Sequence, residues 1–592
     1  MSKKLSGGDI FRFGLLLFAM VIIPLISRRA VVDVSRYEYG IVRSAQQIAD
    51  IFSYNKSVAI CVVGTVLLIT ILMDFFVDNK KVELKKISFV FLGIFLVLNF
   101  LSALFSPYKY VAFNGISERY EGFLVILSYI TFCFATIIYT DNLPKVRLML
   151  LGVALSGLFV GLIGTMQYFG YDIFKTDLGN RLVLGKGGAN LSIKLDSVYS
   201  TLYNPNCASM FMGMLVPVTL IIALVLPFKN KLKYVFGVSF IVSLITLIGS
   251  NSLGGFLGAG TGLVFAVIIG VIYSIKEKNK KGIIGTLALI IAFCFLGAGM
   301  VAANTKIVDK FNVIVAALKN PDIITGSSYY ENVTVNGMQA NIITKGGTIN
   351  IDFTAEPPVF LQNNNKVGMT AEDNGYVYAV EGVAKVKLEA VDNIYSISMI
   401  DDYGTTTSFL FGIIDNKVSV LDKFGNPVDA SQPVRTIGFK GMERLGSNRG
   451  YIWSRSIPLL LDNIIIGKGP DTFSLEFPQN DVYGKLEFLG NPYVIVDKPH
   501  NMFIQIGVNT GLLSLIVFLL LMFVYFINTL KNVFGTSSLS VAGVRLAILA
   551  GVIGYLIGGM TTDSVVSVSP VFWILLGLGF AVNSLDLSSL EE

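Results

Sequence analysis

This chain contains few charged residues and a single histidine, and both facts restrict the kinds of protein that it can be. Charged residues make up 15% of the 592 residues, whereas hydrophobic residues make up 53%. So little charge cannot cover a soluble globule with a polar surface, which predicts a polytopic membrane protein. The single histidine is His500. The four cysteines lie within or at the edge of apolar runs, so neither a disulfide framework nor a thiolate metal site is indicated.

Long apolar runs predict about twelve membrane-spanning helices, with one break large enough for a domain. The runs cover about residues 11–27, 57–77, 87–105, 122–140, 148–169, 207–228, 235–250, 255–274, 283–303, 507–530, 542–560 and 567–583. The first run lacks a small-residue cleavage site, and we interpret it as a retained helix. The expected fold is an α-helical polytopic membrane protein, with helices 1–9 in residues 1–303 and helices 10–12 in residues 501–592.

Lysine clusters predict the orientation of the helices. They follow every second predicted span and comprise Lys80, Lys81, Lys85, Lys86, Lys145, Lys229, Lys231, Lys233, Lys276, Lys278, Lys280 and Lys281. The positive-inside rule makes this side cytoplasmic, which places both termini in the cytoplasm and the large loop outside the cytoplasmic (inner) membrane. The net charge of +6 mostly reflects this lysine excess, so it does not indicate a nucleic-acid partner.

Arginine has the opposite distribution. Ten of the thirteen arginines fall on the predicted outer side: Arg28, Arg29, Arg36, Arg43, Arg119, Arg181, Arg435, Arg444, Arg449 and Arg455. A guanidinium group binds two phosphate oxygens at once, so this excess suggests an anionic or phosphorylated ligand at the outer face. The alternative is that these arginines pair with external carboxylates or contact lipid headgroups.

The large extracytoplasmic segment has two parts. In residues 304–440, short runs of Val, Ile, Tyr and Thr alternate with NG, GG, DNG and GN turns, which predicts a β-sandwich-like insert at about 329–440. We expect this insert to have its own core and to be dispensable for folding of the membrane part. Residues 441–500 predict an amphipathic helical loop on the membrane surface, with Trp453 at headgroup level and the helix ending by Gly467.

Five motifs occur in a characteristic order. They are ISERYEGFL (116–124), TLYNPNCASMF (201–211), NRGYIW (448–453), GKGPDTF (467–473) and HNMFIQIGVNTGLLSL (500–515), the last at the entry to a membrane helix. In combination they resemble the signature of the O-antigen ligase and O-antigen polymerase superfamily. The resemblance covers most of the membrane portion and leaves out the β insert.

The resemblance implies a membrane-embedded glycosyltransferase of the GT-C type. Members take a glycan from an undecaprenyl-pyrophosphate carrier and join it to a sugar acceptor outside the cytoplasmic membrane. By this resemblance His500 is the functional histidine, Asn501 is its partner, and Arg449 holds the donor diphosphate. Arg119 and Arg181 lie in matching loops. The implied partners are a lipid-linked oligosaccharide or polysaccharide, a glycan or glycolipid acceptor, and membrane lipid.

One stretch departs from the family pattern. Members often carry a Ser-Arg-Gly element near the seventh helix, whereas this chain has GSNSLGGFLG at residues 249–258. The expected arginine is missing, so another residue would have to supply its contact with the diphosphate.

The chemistry of glycosyl transfer agrees with this assignment. The transfer needs a base for the incoming hydroxyl and positive charge for the leaving diphosphate. Histidine suits the first task and guanidinium the second, so no metal ion or other cofactor is required. No Asp-x-Asp pair lies beside the arginines, and Asp401 and Asp402 fall in the insert. The predicted site comprises His500 as the catalytic residue and Arg449, Arg455, Arg119, Arg181 and Asn501 as substrate-binding residues.

Several alternatives remain open at this level. His500 could be an interfacial imidazole beside a helix cap at Asn501. The chain could polymerise repeat units instead of ligating a glycan to a different acceptor. A polysaccharide transporter or flippase would favour inverted repeats and charged residues inside helices, and neither is evident. A receptor would need fewer than twelve helices as an anchor.

Overall fold

The structure is a computed structural model of the chain. It describes residues 6–35, 37–38, 42–43, 45–77, 87–185, 197–227, 229–303, 312, 315, 330–372, 375–381, 383, 385–391, 393–400, 406–428, 434–585 and 587. Several residues of the sequence analysis lie outside these ranges, namely Arg36, Lys80, Lys81, Lys85, Lys86, Asp401, Asp402 and nearly all of 304–329.

The described chain is mostly helical, and within it nine helical segments are long and apolar enough to cross a membrane. They are α1 (Gly7–Leu17, continued to Leu25 by a π-turn and a 3-10 turn), α2 (Tyr54–Phe76), α3 (Ile87–Leu104), α6 (Leu143–Tyr168), α8 (Pro205–Val225), α9 (Leu232–Ser250), α10 (Leu253–Lys276), α16 (Leu512–Phe534) and α17 (Leu539–Gly558). The prediction of a multi-pass membrane protein is therefore confirmed.

Three further predicted spans coincide with helices that do not reach this standard. They are α5 (Phe123–Tyr139), α11 (Lys280–Ala303) and α18 (Ser569–Ser584). Within α11, the stretch Gly282–Ile291 is a shorter apolar helical segment. α5 has 17 residues and α18 has 16, fewer than the roughly 20 residues that a straight helix needs to span a bilayer. The count of twelve spans thus stays a prediction.

The predicted span at 507–530 is two helices. α15 (Met502–Thr510) ends at Gly511, whose φ of 102° is left-handed, and α16 begins at Leu512. A Cβ atom at Gly511 would lie 2.6 Å from the carbonyl oxygen of Ile465, so only glycine fits. The break lets the amide of Leu512 donate to the carbonyl of Asn463, 2.9 Å away, which joins the membrane helix to the preceding loop.

Small residues set the closest helix packing. Cβ atoms at Gly258 and Gly262 of α10 would lie 2.3 and 2.4 Å from backbone oxygens of α17. Glycines spaced by four residues allow such an approach between membrane helices. The stretch 249–258, which departs from the family pattern, thus runs into a helix-packing surface.

The candidate spans also contain charged residues, each with a partner. Lys56 of α2 is fully buried and donates to the carbonyl of Thr201 and to Ser567. Arg12 pairs with Asp74, and Arg545 donates to main-chain carbonyls at the end of α18. Partnered charges of this kind are tolerated inside a helix bundle.

The β insert consists of two separate antiparallel sheets. A separate small hairpin near the N-terminus comprises β1 (Ala30–Asp33) and β2 (Gln47–Asp50). In the insert, the five-stranded sheet comprises, in chain order, β3 (Tyr330–Asn336), β4 (Gln339–Thr344), β5 (Gly347–Asp352), β6 (Val359–Gln362) and β7 (Asn365–Lys366). The six-stranded sheet comprises β8 (Met369–Glu372), β9 (Gly375–Tyr378), β10 (Lys385–Val391), β11 (Ile394–Ile400), β12 (Thr406–Ile414) and β13 (Lys417–Val420). Every described pairing joins consecutive strands.

The insert shares its core with the loop that follows it. That loop holds α12 (Leu445–Asp462), α13 (Phe473–Glu476) and α14 (Val482–Leu489), while two short helices, α4 (Lys109–Asn114) and α7 (Asp177–Leu184), lie in earlier loops. Val482 and Leu486 of α14 are buried in one cluster with side chains of both sheets. Tyr493 also accepts a hydrogen bond from the amide of Leu410 at 2.6 Å.

This shared core changes the expected result of deleting the insert. Removing residues 330–433 with a Gly/Ser bridge should leave Val482 and Leu486 exposed, at a cost of about 1.5–3 kcal/mol each, and should cause aggregation in detergent. Adding Val482→Thr and Leu486→Gln to the deletion should restore a monodisperse peak in size-exclusion chromatography. The same two substitutions in the intact chain are the control, and they should destabilise the insert. Aggregation of the deletion with both substitutions would show that the insert is integral to the membrane part.

Candidate functional site

Loops from one end of the helices meet around His500. A cavity there is lined by Ser53 before α2, by Glu118 and Arg119 before α5, by residues 203–207 at the start of α8, by Lys498 and His500 before α15, and by residues 562–567 between α17 and α18. Motifs at 116–124, 201–211 and 500–515, far apart in the chain, therefore share one site.

The backbone holds His500 in an unusual conformation. Its φ is 51°, which is left-handed and uncommon for a residue other than Gly. On one side, the indole N–H of Trp453 donates to the carbonyl of Pro499 at 2.8 Å. On the other side, the amide of Met502 donates to the carbonyl of Gly559 at 2.7 Å. Such strain persists only where surrounding contacts enforce it, and it is concentrated at functional sites.

Asp563 lies beside the imidazole. Nδ1 of His500 is 3.7 Å from Oδ2 of Asp563, which is too long for a direct hydrogen bond but close enough to orient the ring. The His500 side chain is 31% exposed and that of Asp563 is 3% exposed. With Nδ1 turned toward the buried carboxylate, Nε2 is left to accept a proton from a ligand.

The charge state of His500 suits a base. Burial lowers its pKa below the usual value, and the positive charges of Lys498 and Arg449 add to this effect. Asp563 acts in the opposite direction and limits the shift. The lowered pKa favours the neutral imidazole, which is the form that can accept a proton.

For the base role that the sequence analysis assigns to His500, this balance sets an expected pH dependence. If neutral His500 is required, kcat/KM should fall as pH drops through a value below about 6.5 and should be flat on the alkaline side. Asp563→Asn removes a charge that favours imidazolium, so the acid limb should move to lower pH while the rate also falls. Asp462→Asn, which removes an exposed partner of Arg435, should leave the limb in place. An identical acid limb in wild type and Asp563→Asn would contradict the assignment.

Arg119 lies between two buried carboxylates, those of Asp471 and Asp563. Its Nε donates to Asp471 Oδ1 at 2.6 Å, and its Nη1 lies 3.9 Å from Asp563 Oδ2. Asp471 belongs to the GKGPDTF motif, and its second oxygen accepts the amides of Ile116 and Glu121 at 2.9 and 3.1 Å. These carboxylates raise the pKa of Arg119 against the effect of burial, so the guanidinium remains charged.

Two buried polar atoms at this centre are unsatisfied. Nη1 of Arg119 and Oδ1 of Asp563 make no hydrogen bond with any residue that the structure describes. A buried polar atom without a partner costs about 1–3 kcal/mol, and most such atoms are paired in folded proteins. Their position next to the His500 cavity indicates a site prepared for a polar ligand or for water.

Arg449 is a half-buried cation near the site. Its guanidinium forms no hydrogen bond and no ion pair within the described ranges. Burial lowers its pKa, and only the negative charge of Asp563 acts against this. Three residues with left-handed backbone, Gly446, Ser447 and Asn448, immediately precede it and turn the chain into the regular part of α12. Through the Trp453 contact, the same helix is tied to His500.

Lys498 adds a second cation to the cavity. Its ammonium lies 3.1 Å from the Asp497 carboxylate and 5.7 Å from the centre of the Tyr203 ring. Burial acts to lower the pKa of Lys498, but the negative charge of Asp497 raises it, so the ammonium stays charged. Tyr203 belongs to the TLYNPNCASMF motif and has a φ of 80°. Its hydroxyl donates to Oε2 of Glu118 at 3.4 Å.

Glu121 supports the site from behind. It accepts hydrogen bonds from Tyr129 at 2.8 Å and from Ser564 at 2.9 Å, and Gln505 donates to its second oxygen at 3.3 Å. Burial raises its pKa to about 7. Because Ser564 follows Asp563, this network positions the carboxylate that faces His500.

The other predicted site residues have different surroundings. Arg455 is buried in an ion pair with Asp481 at 2.9 Å and lies over the ring of Tyr451. Arg181 is exposed on α7. Asn501 caps α15: its side-chain oxygen accepts two amides of the first turn, and its amide group donates to the carbonyl of Met560. The structure thus brings His500, Arg119 and Arg449 together. Arg455 instead pairs with Asp481, and Asn501 caps α15, which was the alternative explanation of this asparagine in the sequence analysis.

Five of the ten outer arginines, among them Arg119 and Arg455, have a side-chain partner in the described part of the chain. Besides Arg455, Arg435 pairs with Asp462, Arg444 donates to the carbonyl of Glu487, and Arg43 pairs with Glu38 and Glu118. Pairing with external carboxylates, the alternative explanation of the arginine excess, therefore accounts for much of it.

Sequence reasoning missed several residues of the site. Asp471 and Glu121 were inside recognised motifs, and Lys498 is two residues from the only histidine. Asp563 had a weaker signal, as the one charged residue between the apolar helices α17 and α18. A search for isolated acidic residues in short loops between apolar helices would have found it.

Comparisons of the chain with protein families, with curated proteins and with solved structures give no match. Among the residues that the structure describes, no group of three or more His, Cys, Asp or Glu side chains is arranged to hold a metal ion.

Proposed function

We propose that the protein is an O-antigen ligase-like membrane glycosyltransferase that moves a glycan from an undecaprenyl-pyrophosphate carrier to a sugar acceptor. One observation carries the proposal: the only imidazole faces a buried carboxylate and shares its surroundings with cationic side chains. This is the pairing of base and positive charge that transfer from a diphosphate needs. The five motifs, in their order, supply the resemblance to the superfamily.

The proposed step uses these residues in separate roles. Nε2 of His500 takes the proton of the acceptor hydroxyl, whose oxygen then bonds to the anomeric carbon of the donor sugar. The bond between that carbon and the diphosphate oxygen breaks, and its electron pair leaves with the carrier diphosphate. Arg449 and Lys498 hold the diphosphate, while Arg119 and Asp563 keep the site in position. Guanidinium and ammonium groups make a metal ion unnecessary in this scheme.

The uncompensated charge of Arg449 supports its assigned role. A buried or half-buried cation is unfavourable without an anion, and a bound diphosphate would provide one. Lys498 is our candidate for the contact that arginine makes near the seventh helix in the resembled family. It differs from Arg449 in that Asp497 already neutralises it, so Arg449 should contribute more to donor affinity.

The membrane arrangement is proposed on the same basis. A GT-C-like bundle of about twelve spans would include the shorter helices α5, α11 and α18. Lysine-rich loops at the opposite end from His500 would be cytoplasmic, which places both termini inside and the β insert outside the inner membrane.

The deciding experiment incubates purified protein with undecaprenyl-pyrophosphate glycans and candidate acceptors, and follows carrier release and product size. One product per donor glycan would identify a ligase, whereas a ladder of products would identify a polymerase of the same superfamily. Movement of the lipid-linked glycan across a vesicle membrane without a new glycosidic bond would identify a flippase. Neither bond formation nor movement would refute the proposal.

A further inference from the structure

A second cavity adjoins the His500 cavity at Arg119, which lines both. Its volume is about 280 Å³, close to the lower end of the range for small-molecule sites in proteins. Arg43 and Ser117 contribute one part of its wall, and Ser474 and Asp497 contribute another. Neither His500 nor Lys498 lines it. It is therefore a distinct compartment that the transfer step described above does not use.

Ser474 is the most informative residue of this cavity. It is 1% exposed, and its hydroxyl has no hydrogen-bond partner in the part of the chain that the structure describes. A buried hydroxyl without a partner, in a cavity of this volume, indicates a ligand with hydroxyl or carbonyl groups.

The remaining wall is apolar. Val42, Ile116 and Ile495 line it, and they belong to one small hydrophobic cluster. An ordinary anion such as phosphate would gain nothing from this wall and would lose part of its hydration there. The ligand should therefore combine an apolar surface with polar edges.

The charges of the cavity also disfavour an anion. The guanidinium of Arg43 already has two carboxylates, Glu118 at 3.1 Å and Glu38 at 3.5 Å. Arg119 is paired with Asp471, and Asp497 adds a further negative charge to the wall. Because every cation here is already neutralised, a neutral ligand with donors and acceptors fits better than a phosphate group.

We propose that this cavity binds one neutral pyranose unit. A pyranose ring presents C–H groups on its faces and hydroxyls at its edges, which matches a cavity lining that combines apolar Val42, Ile116 and Ile495 with polar Ser474, Asp497 and Arg119. The proposal rests on the proposed glycosyl transfer for the source of that sugar, which is either the donor glycan or the acceptor. In either case, the cavity fixes a sugar beside the site of bond formation.

The binding test does not require turnover. Full-length protein in lipid nanodiscs is titrated with the methyl glycosides of glucose, galactose, mannose, rhamnose and N-acetylglucosamine, and saturation transfer from protein to sugar protons is measured by NMR. At least one glycoside should bind, and Ser474→Leu, which fills the cavity and removes the hydroxyl, should weaken it by about tenfold, equivalent to about one hydrogen bond. His500→Asn should bind like wild type because His500 does not line the cavity.

Three results would overturn the inference: no saturation transfer to any of the five glycosides, equal binding by Ser474→Leu and wild type, or displacement of the sugar by inorganic phosphate. Circular dichroism and size-exclusion chromatography check the fold of each variant. If Ser474→Leu does not fold, Ile495→Phe fills the same cavity from its half-buried apolar wall and is judged by the same criteria.

Kinetics with the lipid-linked donor then identify the source of the sugar. A higher KM for the acceptor alone in Ser474→Leu would assign the cavity to the acceptor, and a higher KM for the donor alone would assign it to the donor. Sugar binding without any transfer by the wild type would refute the proposed function and leave the binding site standing. Transfer without sugar binding in the NMR experiment would refute only the inference about this cavity.

Discussion

Replacing His500 with asparagine should lower the transfer rate by about 100- to 10,000-fold, the usual contribution of a general base. Asparagine is the sharpest choice because it tolerates the left-handed backbone at this position but cannot accept a proton as imidazole does. Alanine would add a backbone cost of about 1–2 kcal/mol, which would mix strain with lost chemistry. The measurement is carrier release under single-turnover conditions with purified protein.

The control for this variant is Asn501→Ser at the neighbouring helix cap. Serine also caps helices and adds no charge beside His500, so α15 should be kept. The variant loses the hydrogen bond to the carbonyl of Met560, and the rate should change much less than in His500→Asn. Both variants should express, insert and elute like wild type. A His500→Asn variant with wild-type turnover would remove the histidine from the mechanism.

Replacing Arg449 with alanine should weaken donor binding by about 30- to 5,000-fold, which corresponds to loss of a desolvated charge contact worth about 2–5 kcal/mol. Folding should be nearly unaffected, because the guanidinium has no hydrogen bond or ion pair within the described chain. Arg449→Lys should recover only part of the affinity for the donor, since lysine keeps the positive charge but cannot form the bidentate hydrogen bonds of a guanidinium group. Donor affinity is measured with undecaprenyl-pyrophosphate glycan in nanodiscs, separately from turnover.

The other predicted arginines make this a series with different expected outcomes. Arg455→Ala should lose stability, about 3–5 kcal/mol for breaking a buried pair with Asp481, and a folded Arg455→Lys should bind donor normally. Arg181→Ala should be neutral in both respects because the residue is exposed. Arg119 is best tested as lysine, since alanine would leave Asp471 and Asp563 without a cation.

Two results would show that the diphosphate lies elsewhere. One is full donor affinity in Arg449→Ala, and the other is a loss of affinity in Arg181→Ala that equals or exceeds the loss in Arg449→Ala. The first would make Arg449 a membrane-surface arginine, and the second would move the anion site toward α7.

Sequence reasoning located the site better than it identified its members. Motifs around residues 116–124, 201–211 and 500–515 do contribute to one cavity, and His500 is one of the residues that line it. Asn501 and Arg455 were chosen from the same motifs, yet one caps a helix and the other stabilises a buried loop. A motif places residues near one another along the chain, but it does not reveal which of them has a free functional group.

The amino-acid sequence by itself determined the membrane helices and the strands of the insert. A run of about twenty apolar residues must satisfy its own backbone hydrogen bonds in lipid, and alternating apolar residues between turn residues must form half-buried strands, so both signals are local. The sequence also predicted that the only histidine would lie at the end of a helix, where the loops collect.

Only the tertiary structure decided which charges are paired and which are available. Arg119 and Asp471 are 352 residues apart in the chain, and Asp563 reaches His500 because the amide of Met502 joins the loop between α17 and α18. Such contacts join segments that are far apart in the chain, and the local sequence of each segment does not show which other segment it will contact. Their result is physical: an imidazole beside a buried carboxylate, and a guanidinium at Arg449 that no described carboxylate neutralises through an ion pair.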